Sequence, residues 1–484
     1  MNQDFEQQAE TFHQILHQEY YLAEAGLKEH LNIIPIYERY SHLFEEQLVR
    51  RLLSSARTRQ ETYLTEWTTL EYLENLVKGH TEYISNEMRN ATVEWDGQRV
   101  PYHSLRPMMS NEPDTARRHQ LEALERGVTA SANPERVDRL SSLHRKARDL
   151  GFESYVTLCD RLRGLQLDML SEQMQTLLDT TRQVFFRRLE EYLHHMQVPM
   201  EEAAPCDILA LFRGKRFDEL FLEDSMIPVL AKTLCGMGID LARQDNLEVD
   251  TEARALKTSR AFCAPIRIPE EVKLVTKPNG GPDDYSSLMH EAGHAQHFAH
   301  VDPSLPFSFK RLGDNSVTEG YAFLFQYLLL NPHWLRKTMG ITDSGEYVEL
   351  ARFRKLWLLR RYASKLLYER QLHTELDGAE KEYASLLSAA LGVSVSAENY
   401  LADTDDAFYC AQYLRAWIFE VQLRRFLEEQ FGPQWFETRE AGDHLISLWQ
   451  RGQEFRVEEL ATDMGYDGLT AEYLIEELAQ TEAV

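Results

Sequence analysis

The sequence predicts a predominantly α-helical protein, and two observations carry this prediction. Apolar residues recur at intervals of three and four within long charged segments, as in FEEQLVRRLLSSA, MQTLLDTTRQVFFRRLEEYLHHM and LARFRKLWLLRRYASKLLYERQLHTEL, which is the period of an amphipathic helix. Prolines and glycines are sparse, at 16 and 23 of 484 residues. Few positions therefore interrupt the helices, although Gly432 and Pro433 end one of them where a stop is expected.

One region departs from the helical pattern. Residues 259–275 read SRAFCAPIRIPEEVKLV, with two prolines among β-favouring residues, and the turn sequence PNGGP follows shortly after. We expect a short strand or hairpin here. Clusters of turn-forming residues at 93–113, 133–134 and 199–205 predict breaks. They divide a helical N-terminal lobe, residues 1–136, from residues 137–484, although the two parts can form one continuous bilobed fold.

Composition excludes several classes of partner. The formal net charge is −26, from 52 basic and 78 acidic residues, and no run of lysine and arginine offers a surface for nucleic acid. The start, MNQDFEQQAETF, lacks the features of a secretory signal, and no apolar run reaches the roughly 18 residues of a membrane span. The sequence thus predicts a cytoplasmic protein without membrane or nucleic-acid partners. Five scattered cysteines, none in a CxxC pair, suit small, buried, reduced thiols: Cys159, Cys206, Cys235, Cys263 and Cys410.

The segment DYSSLMHEAGHAQHFAH contains a candidate metal site. His290 and His294 are four residues apart, so a helix would place both imidazoles on one face, where they can bind the same Zn²⁺. Glu291 lies beside that face and is the candidate general base, able to take a proton from a water that the metal activates. Gly293 would permit close approach of another element. The turn before the motif predicts a helix start near residues 283–284.

A catalytic zinc needs a third protein ligand and an open fourth position. The candidate is Glu319, in the apolar segment GDNSVTEGYAFLFQYLLL. An acidic side chain buried there would cost several kcal/mol unless it were paired or bound a metal. By contrast, His297 and His300 lie beyond the motif without an evident acidic partner, so they do not predict a second metal site.

The motif HExGH followed after 25 residues by a glutamate resembles the thimet oligopeptidase and oligoendopeptidase F family of zinc peptidases. The stretch HRKARDLGFESYVTL at 144–158 is similar to an arginine-rich helix of that family, and RAFCAP at 260–265 to its cleft-lining edge strand. The resemblance implies two helical lobes flanking a deep cleft, with a small sheet next to the zinc. It also implies that a short peptide pairs with the strand at Phe262, Cys263 and Ala264. The oligomeric state, monomer or homodimer, is left open.

Further along, FYCAQY resembles the segment of that family whose tyrosines face the zinc. The matching positions are Tyr409 and Tyr413, and the resemblance implies that one of them donates a hydrogen bond to the oxyanion formed during hydrolysis. The sequence also departs from the pattern. Residues 404–406 read TDD where the family carries a histidine, and no histidine lies between His373 and His444.

The sequence therefore predicts a zinc-dependent oligoendopeptidase that hydrolyses internal bonds of short peptides. Two alternatives stay open. One is a helical zinc carboxypeptidase, which removes single C-terminal residues. The other is a helical scaffold that does not catalyse a reaction and holds a structural metal in a closed set of four ligands.

Overall fold

The computed structural model describes residues 3–480, and most of them are helical. The N-terminal half contains α1 (Gln3–Glu24), α2 (Ile34–Arg39), α3 (Glu46–Ser55), α4 (Arg59–Asn90), α5 (Leu105–Asn111), α6 (Thr115–Ser131), α7 (Asn133–Asp149), α8 (Tyr155–Arg163), α9 (Leu167–Thr180), α10 (Arg182–His195), α11 (Pro205–Arg213) and α12 (Met226–Gly236). The C-terminal half contains α13 (Pro282–His300), α14 (Phe307–Lys310), α15 (Asn315–Gln326), α16 (Pro332–Trp334), α17 (Gly345–Leu372), α18 (Ala379–Leu391), α19 (Tyr409–Phe431), α20 (Arg439–Trp449), α21 (Val457–Asp463) and α22 (Glu472–Ala479). The predicted helical fold class is confirmed.

Local signals account for several helix ends. The longest helix, α4, begins with a capping box in which Thr58 and Glu61 each bind the other's backbone amide through their side chains. At the C-terminal end of α19, Gly432 has φ 86°, a conformation that glycine adopts without strain. The predicted stop at Gly432 is therefore where the helix ends.

Strands are few. β1 (Thr92–Trp95) and β2 (Gln98–Pro101) form an antiparallel hairpin. A second sheet has the order β3–β5–β4, from β3 (Leu247–Asp250), β4 (Phe262–Arg267) and β5 (Glu271–Val275), with β4 antiparallel to β5. The hairpin predicted within residues 259–275 is thus formed by β4 and β5. Because β4 lies at the edge of the sheet, one side of its backbone is not paired within the sheet.

Three helices, α13, α15 and α19, approach one another closely at two glycines. A Cβ on Gly293 of α13 would lie 2.5 Å from the Cα of Ala322 on α15, and a Cβ on Gly320 of α15 would lie 2.4 Å from the ring of Phe419 on α19. Such distances exclude any side chain at either glycine. The predicted role of Gly293 is therefore correct, and it brings the backbones of α13 and α15 together.

The largest hydrophobic core joins both ends of the described chain, since it includes Phe12 of α1 and Leu478 of α22. A second core lies around the three-stranded sheet, α13 and α15. A cavity of about 400 Å³ is lined by α1, α4 and the segment between α14 and α15. The predicted boundary after residue 136 lies inside α7, so the division into a lobe and a catalytic region stays a prediction.

None of the helices within residues 3–480 has the length and apolar composition of a membrane span. All five cysteines are free. Three of them are buried as predicted and Cys263 is partly buried, but Cys235 is exposed. The prediction of a buried thiol is therefore wrong for Cys235, which occupies a solvent-facing position near the end of α12.

Candidate active site

The two histidines of the HExGH motif lie on α13 with their rings on the same face. The helix begins at Pro282, preceded by Gly281 with φ 90°, close to the predicted start. Proline suits this position because the first turn of a helix does not use its amide. The ring centroids of His290 and His294 are 5.0 Å apart, and the side chains are only 14% and 11% exposed.

Glu319 of α15 completes the cluster. Its Oε2 lies 3.3 Å from Nε2 of His290 and 3.4 Å from Nε2 of His294. The residue is 3% exposed, and Oε2 accepts no hydrogen bond within the described part of the chain. Burial alone would raise the pKa of this carboxyl, but the His294 and His290 imidazoles lower it well below its usual range. The carboxylate is therefore ionised and one of its buried oxygens is available to a ligand.

Two polar residues of α15 orient the rings. Nδ1 of His290 is 2.9 Å from Oε1 of Gln326, and Nδ1 of His294 is 2.8 Å from Oγ1 of Thr318. When Nδ1 carries the proton and donates it to these oxygens, the lone pair of each ring is on Nε2, facing Glu319. Sequence reasoning missed Thr318 and Gln326. Their signal was present, because both are polar side chains in a mostly apolar helix.

The donor set fits a zinc ion. Two imidazoles and a carboxylate are ligands of known catalytic zinc sites. In a tetrahedral site with bonds of about 2.0 Å, neighbouring ligand atoms lie about 3.3 Å apart, close to the two separations between imidazole and carboxylate given above. All three ligand atoms lie within 4.8 Å of one another. The unpartnered Oε2 of Glu319 is the further feature that a cation would satisfy.

Glu291 and the edge strand β4 are in direct contact. The backbone amide of Cys263 donates a hydrogen bond of 2.8 Å to Oε2 of Glu291, so this carboxylate points towards the strand and is held there. Phe262 and Cys263 are partly exposed and Ala264 is buried. The three residues of the predicted peptide-binding strand thus lie beside the candidate base. One backbone donor of the strand, the amide of Cys263, is already used.

The two candidate tyrosines lie one turn apart at the start of α19 and take different partners. Tyr409 donates its hydroxyl hydrogen to Oε1 of Glu319 at 2.7 Å. Tyr413 stacks edge-on against Tyr409, with centroids 5.1 Å apart, and its hydroxyl forms no hydrogen bond within residues 3–480. The charge of Glu319 and, secondly, burial raise the pKa of Tyr413 well above its ordinary value. Its phenol is therefore a neutral donor at neutral pH.

The segment before Tyr409 is a tight bend. Ala407 and Phe408 have φ 49° and 58°, which non-glycine residues adopt at a cost. Ion pairs hold the bend on both sides, from Asp405 to Lys365 at 2.9 Å and from Asp406 to Arg139 at 2.6 Å. Asp405 and Asp406, which stand in the stretch where the family that the motif resembles carries a histidine, are thus used in ion pairs.

His297 and His300 do not join the cluster. Nε2 of His297 is 3.2 Å from the carbonyl oxygen of Gly452, and Nδ1 of His300 is 2.8 Å from that of Gln296. Burial lowers the pKa of His297 to about 3. Both rings are therefore neutral at neutral pH and hydrogen bonded to backbone.

Comparison with known proteins finds likeness in structure only. No family model and no curated protein matches the sequence. A structure described as a putative oligoendopeptidase F from Bacillus anthracis str. Ames has a TM-score of 0.61 and 15% identity, covering 96% of this chain and 83% of its own. A further structure described as a putative oligoendopeptidase F has a TM-score of 0.62 and 15% identity, and the match covers 100% of this chain and 86% of that one. PZ peptidase A with an inhibitor has a TM-score of 0.62 and 14% identity, and the match covers 96% of this chain and 86% of that one. The chain therefore has the helical fold that the oligoendopeptidase F and PZ peptidase structures share.

Proposed function

We propose that this protein is a zinc-dependent peptidase that hydrolyses internal bonds of short peptides. The observation that carries the proposal is the convergence of His290, His294 and Glu319 on one buried point, with Glu291 beside it. The structural likeness to oligoendopeptidase F and PZ peptidase A supports the same reaction class.

The roles of the residues follow from their positions. His290, His294 and Glu319 would hold the metal, and Gln326 and Thr318 would keep the imidazoles in the tautomer that binds it. When bound, Zn²⁺ polarises a carbonyl group and makes water easier to deprotonate.

Glu291 acts as the base in this proposal. One of its oxygens is held by the amide of Cys263, which leaves the other free to accept a proton from the attacking water and pass it to the leaving amine. Its attachment to β4 also sets the distance between the base and a peptide that lies along the strand. Such preorganisation lowers the cost of reaching the reactive geometry.

Tyr413 is the better candidate for the oxyanion donor. Tyr409 already donates to Glu319, so its hydroxyl supports the ligand, whereas the hydroxyl of Tyr413 is free within the described chain. A neutral phenol at this position can donate to the carbonyl oxygen as negative charge develops there.

The test is hydrolysis of a mixed library of short peptides by the zinc-loaded protein, with and without chelator, followed by mass spectrometry. We expect internal cuts that stop when zinc is removed. Glu291→Gln should lower kcat by about 100- to 10,000-fold because the proton acceptor is lost, while zinc content stays at the wild-type level.

Glu270→Gln is the matched control. Glu270 is exposed in the turn between β4 and β5, and its substitution removes one negative charge, as Glu291→Gln does. It should leave kcat unaltered. Undiminished turnover by Glu291→Gln would reject the assignment of the base. Successive loss of single C-terminal residues would identify a carboxypeptidase, and bound zinc without hydrolysis of any peptide would favour a structural metal.

A further inference from the structure

Arg311, in the segment between α14 and α15, has a guanidinium group without a carboxylate partner in the described part of the chain. The side chain is partly buried and lines the cavity between α1 and α4. Its Nε is buried without a hydrogen-bond partner, and the guanidinium forms no ion pair with any residue in the range 3–480. Its one contact of note is with the ring of Phe298, 5.4 Å from Cζ. A partly buried cation without a partner is less favourable than one that a ligand pairs.

The other charged side chains that line the cavity do have partners. The partners are other side chains of the same cavity: Arg163 for Glu66, Arg139 for Glu74 and Asp406, and the hydroxyl of Tyr37 for Glu71. His17 also lines the cavity, and burial followed by the charge of Arg311 lowers its pKa to about 3, so it is neutral at neutral pH. Arg311 is therefore the cation in this cavity that is open to an anion.

Arg311 also lies close to the candidate active site. It lines the same cavity as Tyr409, whose hydroxyl donates to the candidate metal ligand Glu319, and its charge opposes the rise that burial causes in the pKa of the Cys263 thiol on the edge strand. Its backbone is held at the end of α14, because its amide donates to the carbonyl oxygen of Phe307 at 3.0 Å. A peptide along β4 that crosses the metal site would thus bring its next groups towards this guanidinium.

We infer that Arg311 binds the C-terminal carboxylate of short peptide substrates. The inference rests on the proposed peptidase function and names its substrate class. A guanidinium matches a carboxylate in geometry and charge, with two parallel hydrogen bonds. A cavity of about 400 Å³ admits a chain end, whereas an internal acidic side chain would require the peptide to continue on both sides. Cleavage would accordingly occur near the C-terminus of peptides with a free acid end.

The test compares one hexapeptide made as the free acid, as the C-terminal amide, and as the amide with an internal glutamate. Affinities are measured by calorimetry in the zinc-loaded Glu291→Gln protein, so that binding is observed without turnover, and kcat/KM is measured in the otherwise unaltered protein. We expect the free acid to bind about 10- to 100-fold more tightly than either amide, the range of a charge-assisted hydrogen bond. Arg311→Gln should reduce this ratio to near one through a loss of affinity for the acid.

Arg311→Lys keeps the charge but loses the planar pair of guanidinium donors, so it should retain part of the preference for the free acid. Lys310→Gln is the matched control, because it removes one positive charge from the neighbouring residue, whose partner is Glu10 at 2.9 Å. It should keep the full preference, and unchanged circular dichroism would verify folding of each variant. Equal binding of acid and amide, a preference that survives Arg311→Gln, or tightest binding of the internal glutamate would overturn the inference. Binding that depends on Arg311 but is not followed by hydrolysis in the otherwise unaltered protein would contradict the peptidase proposal and leave the carboxylate-binding inference standing.

Discussion

Two largely buried clusters each bring three side chains of metal-binding type within 4.8 Å of one another, yet they differ in how their charges are balanced. The first is the candidate zinc site, with His290, His294 and Glu319. The second lies between α17 and α19, with Glu369, Asp405 and Cys410. Composition and burial do not separate them, because both offer an acidic residue and at least one softer ligand.

The second cluster already contains its own cation. Lys365 lies 2.9 Å from Asp405 and 3.8 Å from Glu369. Cys410 donates its thiol hydrogen to Glu369 at 3.0 Å, and the amide of Asp405 donates to the same carboxyl at 2.8 Å. Burial raises the pKa of Glu369 to about 8 and that of Cys410 well above its ordinary value. Protonated groups cannot coordinate a metal ion, and the ammonium group beside them repels it.

The candidate zinc site has the opposite arrangement. No lysine or arginine in residues 3–480 pairs with Glu319, its Oε1 is held by a neutral phenol, and its Oε2 faces two imidazole nitrogens. Proximity of ligand-type atoms therefore does not by itself make a metal site. Free lone pairs and an unbalanced negative charge are also needed, and here the first cluster has both.

Removing one ligand should produce the largest difference between the clusters. Glu319→Gln keeps the shape of the side chain but removes its charge, and we expect zinc affinity to fall by more than the roughly 100-fold that loss of a supporting partner costs. Glu369→Gln should leave zinc content unchanged. Elemental analysis after dialysis and competition with a chelator measure both. Zinc retained by Glu319→Gln, or lost from Glu369→Gln, would contradict the assignment.

The pH dependence of stability tests the second cluster. The pKa of Glu369 rises from 4.5 in the unfolded chain to about 8 in the folded protein, so the folded state binds an extra proton between these values. Its contribution to stability is complete below the unfolded pKa and is lost as pH rises through the folded pKa. At about 1.4 kcal/mol for each pKa unit, the loss is on the order of a few kcal/mol.

The measurement is the free energy of unfolding in denaturant at about pH 5 and about pH 8, the range over which the folded state holds a proton that the unfolded chain has released. Glu369→Gln carries no titrating group at this position, so the advantage of the wild type over this variant should shrink at the higher pH. Other buried groups titrate in both proteins and cancel in the difference. A constant difference across this range would show that Glu369 is ionised throughout.

The smallest expected effect concerns the neutral support of Glu319. Tyr409→Phe removes the hydrogen bond to Oε1 and should weaken zinc binding by roughly 10- to 100-fold, the usual cost of losing such a partner. Tyr413→Phe is the matched control one turn away on α19, and its hydroxyl does not contact a ligand. It should leave zinc affinity unaltered while lowering kcat. Equal zinc affinities in the two variants would remove the distinction between their roles.

Much of the architecture was predictable because it depends on local sequence. The helical class follows from the spacing of apolar residues, and the β4–β5 hairpin follows from prolines and β-favouring residues at 259–275. The two histidines could be assigned to one helix face because their spacing matches the helical period. The cysteine prediction was wrong at Cys235, since a scattered thiol carries no local signal of its depth.

Local sequence is enough to identify the residues with metal-binding chemistry and to place two of them, His290 and His294, on one helix face. The meeting of Glu319 with these histidines depends on packing, because it requires the close approach of α13 and α15 at Gly293. Packing also pairs Lys365 with Asp405, next to Cys410 and Glu369, and leaves Arg311 without an ion-pair partner within residues 3–480. Ion pairs form between residues that are distant in sequence, and local sequence patterns do not show which of these residues come into contact.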